Sequence, residues 1–140
     1  MSKIAIVYWS MTGNTQAMTE AVAQGARNAG AKVDILTAAE FNGADVNNYD
    51  AIGFGCPAMG AEVLEESEFD PMFTDAEAFL SGKKIGLFSS YGWGDGEWMR
   101  NWFQRATDAG ASLVNDGLIA NNAPDDGALA QCEAFGASLA

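Results

Sequence analysis

Trp9-Ser10-Met11-Thr12-Gly13-Asn14-Thr15 separates two kinds of sequence. Before it, Lys3-Ile4-Ala5-Ile6-Val7-Tyr8 is a continuous apolar run with β-branched residues, the pattern of a strand buried on both faces. After it, Ala17, Met18, Ala21, Val22, Gly25 and Ala26 recur at helical spacing between Gln16 and Ala29. The stretch is therefore a strand-to-helix loop. The hydroxyls of Ser10, Thr12 and Thr15, the Asn14 amide and Gly13 precede a helix N-terminus, where unpaired N–H groups and the positive end of the helix dipole favour an anion. No Lys or Arg stands here, and the G-x-x-x-x-G-K-[ST] pattern of nucleotide hydrolases is absent. The same residue types also build an ordinary turn and N-cap, so the loop alone leaves both readings open.

Outward from this loop, strand-like and helix-like segments alternate. Gly30 stops the first helix, and Lys32-Val33-Asp34-Ile35-Leu36-Thr37 alternates as an edge strand with one wetter face. Ala38 to Asn48 reads as a polar connection. Tyr49 to Gly55 is a third, central strand that runs into a second loop, Cys56-Pro57-Ala58-Met59-Gly60-Ala61-Glu62. From Glu62 to Glu77 there are seven acidic residues and no basic one, the composition of a solvated face over a partly helical segment. Phe73 to Leu80 reads as the end of a crossover helix stopped at Ser81-Gly82, and Lys83 to Ser89 as a fourth strand. A third loop follows, Ser90-Tyr91-Gly92-Trp93-Gly94-Asp95-Gly96-Glu97, and then a helix over Glu97 to Ala109 with Trp98, Trp102, Phe103 and Ala106 on one face. Ala111 to Val114 and Gly117 to Ala120 are two halves of an interrupted fifth strand. Ala128 to Leu139 is a final helix capped by Asp125 or Asp126.

Alternating strands and helices with right-handed crossovers make an α/β three-layer, doubly wound sandwich: a five-stranded parallel sheet of order 2-1-3-4-5. The chain of 140 residues is expected to form a single domain over 1–140. Its 19 acidic against 7 basic residues, a net charge of −12, argue against nucleic acid and anionic membranes as partners. The strand pattern starts almost at once, with no signal-like segment and no apolar run long enough to span a membrane, so a cytoplasmic protein with reduced thiols is expected. With no histidine and two separated cysteines, Cys56 and Cys132, neither a metal site nor a catalytic general base is expected. Cys56 has no neighbouring base or cation in sequence and reads as packing.

In such a sheet, ligands bind outside the carboxyl ends of the strands, between strands one and three. All three loops leave those ends. The first offers anion donors, while Met59, Tyr91 and Trp93 in the others offer flat apolar surface and the glycines let backbone approach a ring edge. An anionic group tied to a planar aromatic body is a nucleotide.

These residues resemble the flavodoxins, FMN-binding electron-transfer proteins, and their short-chain subgroup in particular. Ser10-Met11-Thr12-Gly13-Asn14-Thr15 matches the family's phosphate loop, Gly55-Cys56-Pro57-Ala58-Met59-Gly60 its first ring loop, and Ser90-Tyr91-Gly92-Trp93-Gly94-Asp95-Gly96 its second. The resemblance implies non-covalent FMN, with its phosphate held by Ser10, Met11, Thr12, Gly13, Asn14 and Thr15. The flavin ring and ribityl chain would be held by Pro57, Ala58, Met59, Gly60, Ala61, Glu62, Ser89, Ser90, Tyr91, Gly92, Trp93 and Gly94. By the same resemblance Met59 covers the inner ring face, Trp93 stacks on the outer one, the Gly60 carbonyl turns toward flavin N5 on reduction and Glu62 receives the N3 proton. Ala61 departs from glycine at a peptide that must turn, and a Cβ makes that turn less easy.

The implied function is a low-potential one-electron carrier, not an enzyme, shuttling between semiquinone and hydroquinone, a monomer serving redox proteins with basic docking surfaces. The acidic residues Glu62, Glu65, Glu66, Asp95 and Glu97 and an uncompensated phosphate oppose a second electron. The alternative is an FMN-dependent NAD(P)H:quinone-type reductase, which needs room over the ring that Trp93 would occupy. A receiver domain would need acidic residues where the chain has Trp9-Ser10 and Gly55-Cys56, and a cysteine phosphatase a Cys in the first loop.

Overall fold

The run Lys3–Tyr8 forms β1, and in the computed structural model every other element is arranged around it. The structure describes residues 3–9, 14–56, 68–91, 97–114, 117–121 and 125–140. After β1 come α1 (Asn14–Asn28), β2 (Lys32–Thr37), two short 3-10 turns (Ala38–Glu40 and Gly43–Asn48) and β3 (Ala51–Gly55). Then follow α2 (Phe69–Glu77), β4 (Lys84–Tyr91), α3 (Glu97–Asp108), β5 (Ser112–Leu113), β6 (Leu118–Asn121) and α4 (Asp126–Leu139). The sheet is parallel, in the order β2-β1-β3-β4-β5, with β6 also on β4. This is the flavodoxin-like order expected from the sequence.

The interrupted fifth strand is real. β5 pairs with the start of β4 (Lys84↔Ser112, Ile85↔Leu113) and β6 with its end (Phe88↔Leu118 to Tyr91↔Asn121). Gly117, just before β6, has φ +102°, and a Cβ there would press on Met99.

Several boundaries differ from the sequence reading, each for a tertiary reason. β4 runs on to Tyr91, because β6 supplies partners for Ser90 and Tyr91, so these two residues belong to a strand and not to the loop after it. β3 begins at Ala51 and not at Tyr49. The Tyr49 hydroxyl donates to Asp34 at 2.9 Å, its carbonyl accepts Lys83 Nζ at 2.7 Å, and the Asp50 carboxylate takes the Lys3 N–H. α2 spans Phe69–Glu77 and ends before the Leu80 that the sequence pattern gave as its last residue. The polar connection from Ala38 to Asn48 carries buried Phe41 and Val46 inward.

Alternation along the strands divides the core into two. Ala5, Val7, Ile52, Phe54, Ile85 and Leu87 face α2 and α3, where Phe69, Met72, Phe73, Met99 and Trp102 cover them. Ile4, Ile6, Ala51 and Phe88 face α1 and α4, covered by Met18, Val22, Ala23, Cys132, Phe135 and Leu139. Asp125 caps α4, accepting the Ala128 N–H at 2.8 Å. Among the described residues, no helix is long and apolar enough to cross a membrane.

Candidate functional site

One row of the sheet positions the site. Thr37, Tyr8, Gly55, Phe88 and Leu118 stand side by side on β2, β1, β3, β4 and β6. The three candidate loops leave within three residues of this row, after Trp9, Cys56 and Tyr91. Neighbouring strands lie about 4.8 Å apart, so the loops spring from a width of about 10 Å. The row is locked at the level where the loops depart. The Trp9 N–H donates to Gly55 O at 3.0 Å and the Cys56 N–H to Phe88 O at 3.3 Å. Ser89 is fully buried, and its hydroxyl donates to the Cys56 carbonyl at 2.5 Å, tying the end of β3 to β4.

Because α1 returns antiparallel to β1, its N-terminus lies at this same edge. The backbone N–H groups of its first turn have no partner within the helix and carry the positive end of its dipole. Thr15 is 1% exposed, and its carbonyl accepts the buried Thr19 hydroxyl at 2.9 Å, which stiffens the first turn from inside. Most positive side chains lie elsewhere, Arg100 in the first turn of α3 being the exception. Lys3, Lys32 and Lys84 begin strands, Lys83 precedes one and Arg27 ends α1, which puts five of the seven cations at the opposite edge. Arg105, in the second half of α3, is bound to Asp70 at 3.0 Å and to Glu77 at 2.7 Å.

The sequence-predicted site residues divide accordingly. Asn14 and Thr15 open α1, and Ser89, Ser90 and Tyr91 end β4, all at the carboxyl edge of the sheet. Ser10 to Gly13, Pro57 to Glu62 and Gly92 to Gly94 lie outside the described residues. Cys56 is fully buried against the α2/α3 side and Cys132 against the α1/α4 side. The sheet separates the two thiols, and neither forms a disulfide. Burial pushes the Cys132 thiol up to about 11, with the Glu133 charge adding to it. The sequence reading missed Glu68, the residue before α2, whose carboxylate accepts the Trp9 indole N–H at 3.1 Å.

This donor set fits the phosphate end of FMN: backbone N–H groups and a dipole, beside the strand pair where a planar group can lie, with five of the seven cations at the far edge. The sequence model of the Flavodoxin family matches residues 6–136. The chain belongs to the flavodoxin family. It is 45% identical over 137 residues to a flavodoxin of Megasphaera elsdenii, covering 98% of both chains. It is also 45% identical over 135 residues to one of Clostridium beijerinckii, covering 96% of this chain and 97% of the other. The solution structure of two-electron reduced M. elsdenii flavodoxin superposes with a TM-score of 0.86, covering 98% of this chain and 99% of that one. As a flavodoxin the chain is an FMN-based electron carrier, which passes electrons to redox partner proteins.

Proposed function

We propose that this flavodoxin is a low-potential carrier that moves one electron at a time and has no second substrate of its own. FMN, bound non-covalently, supplies the redox chemistry. The chain supplies the field around it. The residues from Ser10 to Thr15 hold the phosphate with neutral donors, the segments 57–62 and 89–94 enclose the ring and ribityl chain, and Met59 and Trp93 lie against its two faces.

The observation that carries this reading is the separation of charge along the strands. Five of the seven cations sit at the amino edge of the sheet, while Glu62, Glu65, Glu66, Glu68 and Asp95 lie in or beside segments that leave the carboxyl edge, where Arg100 at the start of α3 offsets one of them. A unit charge about 10 Å from another opposes it by about 1.7 kcal/mol at an effective dielectric of 20, and several acidic groups with an uncompensated phosphate add to one another. Each added electron therefore meets a rising cost, which lowers the second reduction step. The same acidic edge steers partners with basic docking surfaces into brief, salt-sensitive encounters. The carrier works as a monomer in the cytoplasm, in keeping with two thiols kept apart by the sheet and not joined in a disulfide.

A spectroelectrochemical titration is expected to show two separated one-electron steps, with Thr12→Lys raising the second. A single two-electron wave overturns the reading. So does steady NAD(P)H oxidation by the purified protein, which would favour the quinone-reductase alternative.

A further inference from the structure

The residue that follows β1 reaches across to the residue that precedes α2. Trp9 Nε1–H donates to Glu68 Oε1 at 3.1 Å, over 59 positions of sequence. Both partners are held from behind. The Trp9 backbone N–H is bound to Gly55 O at 3.0 Å and its ring packs on the α2/α3 side of the core. The Glu68 carbonyl accepts the Met72 N–H at 3.2 Å in the first turn of α2, next to fully buried Phe69. Each partner also adjoins a loop: Trp9 precedes residues 10–13, and Glu68 follows residues 57–67. Tyr8, Trp9, Gln16, Thr37, Ala38 and Glu68 line a cavity of about 290 Å³ at this corner. The bond therefore bridges an opening and is not a by-product of close packing.

We propose that the Trp9–Glu68 hydrogen bond is a clamp that sets the separation of the phosphate loop from the first ring loop, which makes Trp9 and Glu68 positioning residues for FMN. The proposal rests on the assignment of those loops to the two ends of the cofactor. A ligand that spans two loops bears the cost of bringing them to the right separation, and a clamp that holds them there beforehand removes that cost. A ligand that engages one loop gains nothing from it. Riboflavin is FMN without the phosphate, so the ratio of the two affinities reads the clamp, whereas a general loss of stability weakens both flavins alike.

The test titrates apoprotein with FMN and with riboflavin, following quenching of flavin fluorescence, with thermal midpoints recorded alongside. Trp9→Phe, which keeps an aromatic ring in place, and Glu68→Ala each lower FMN affinity about three- to tenfold, the net worth of one solvent-accessible hydrogen bond, and leave riboflavin nearly unchanged. The double variant loses less than the sum of the two single ones, because the bond they share is already gone. Glu68→Gln keeps an acceptor oxygen and stays close to the parent. Equal losses for both flavins, or additive losses in the double variant, overturn the clamp. A Glu68→Gln variant as impaired as Glu68→Ala overturns it too, since charge would then carry the effect. A parent apoprotein that quenches neither flavin overturns the FMN assignment itself, a result distinct from normal parent binding with indifferent variants.

Discussion

The two faces of the sheet are closed by opposite means. On one, α1 and α4 approach through side chains that are absent: a Cβ at Gly25 would run into the Glu133 carbonyl, and one at Gly136 into that of Val22. Phe135 lies over Gly53 and Gly86, which stand side by side on β3 and β4. On the other face, rings fill the space. Phe73 meets Phe54 edge-on at 5.1 Å, and Trp102 meets Phe69 at 5.5 Å and Phe73 at 5.7 Å. The first face has no room for added atoms, and the second has none to spare. Each face also places helix starts at the carboxyl edge of the sheet, α1 after the proposed phosphate loop on one and α2 after the proposed first ring loop on the other. The two halves of the proposed FMN site thus rest on separate cores that meet only in the sheet.

The sharpest way to break the ring-filled face is Phe73→Ala. Its side chain is fully buried, and the variant is expected to lose about 3–5 kcal/mol in urea unfolding. Gly136→Ala attacks the other face by addition instead of deletion. It should lose about 1–3 kcal/mol, because the new methyl group must push α4 off α1, and FMN affinity should fall with it as the phosphate loop's helix moves. If Gly136→Ala were neutral, the close contact of α1 and α4 would not be what holds that face.

Smaller effects sharpen the comparison. Arg105 joins α3 to both ends of α2 through Asp70 and Glu77 and lies 5.0 Å from the Phe73 ring. Its pairs are partly exposed, so Arg105→Met should cost only about 0.5–1 kcal/mol, with the ring packing left to carry the face. The last effect belongs to the α1/α4 side and is one of pH alone, its titration part being nil at neutral pH. The Cys132 thiol is raised from about 9 to about 11 in the folded chain, so the unfolded chain gives up its proton first. Stability from this group is fully present below about pH 9 and is lost as pH rises to about 11. Thermal midpoints between pH 8 and 11 should therefore fall less steeply for Cys132→Ala than for the parent. Tyr49, raised to about 12 by burial and by its bond to Asp34, acts equally in both proteins.

Much of this was legible along the chain. The switch from apolar run to helical spacing across Trp9 to Thr15 identified the first loop, and the same pattern repeated gave the strand order. Gly30 and Gly82, both at positive φ, marked the turns that the sequence reading expected. What escaped it depended on partners distant in sequence. Phe41 looked like part of a polar connection and is 3% exposed, because the 3-10 turns fold it over β3. Glu68 looked like one more acid in a solvated run until β1 and α2 were brought side by side.

Periodicity is a property of near neighbours, and so the amino-acid sequence by itself determined which segments are strands and helices, which faces are apolar, and which loops carry anion donors and flat surfaces. The length of β4 was decided by β6, the start of β3 by Asp34, Lys3 and Lys83, and the spacing of α1 and α4 by glycines that each face a carbonyl of the other helix. Those contacts, the gathering of five of the seven cations at one edge and the Trp9–Glu68 bond required tertiary structure. Each joins residues that only the order and register of the sheet bring together.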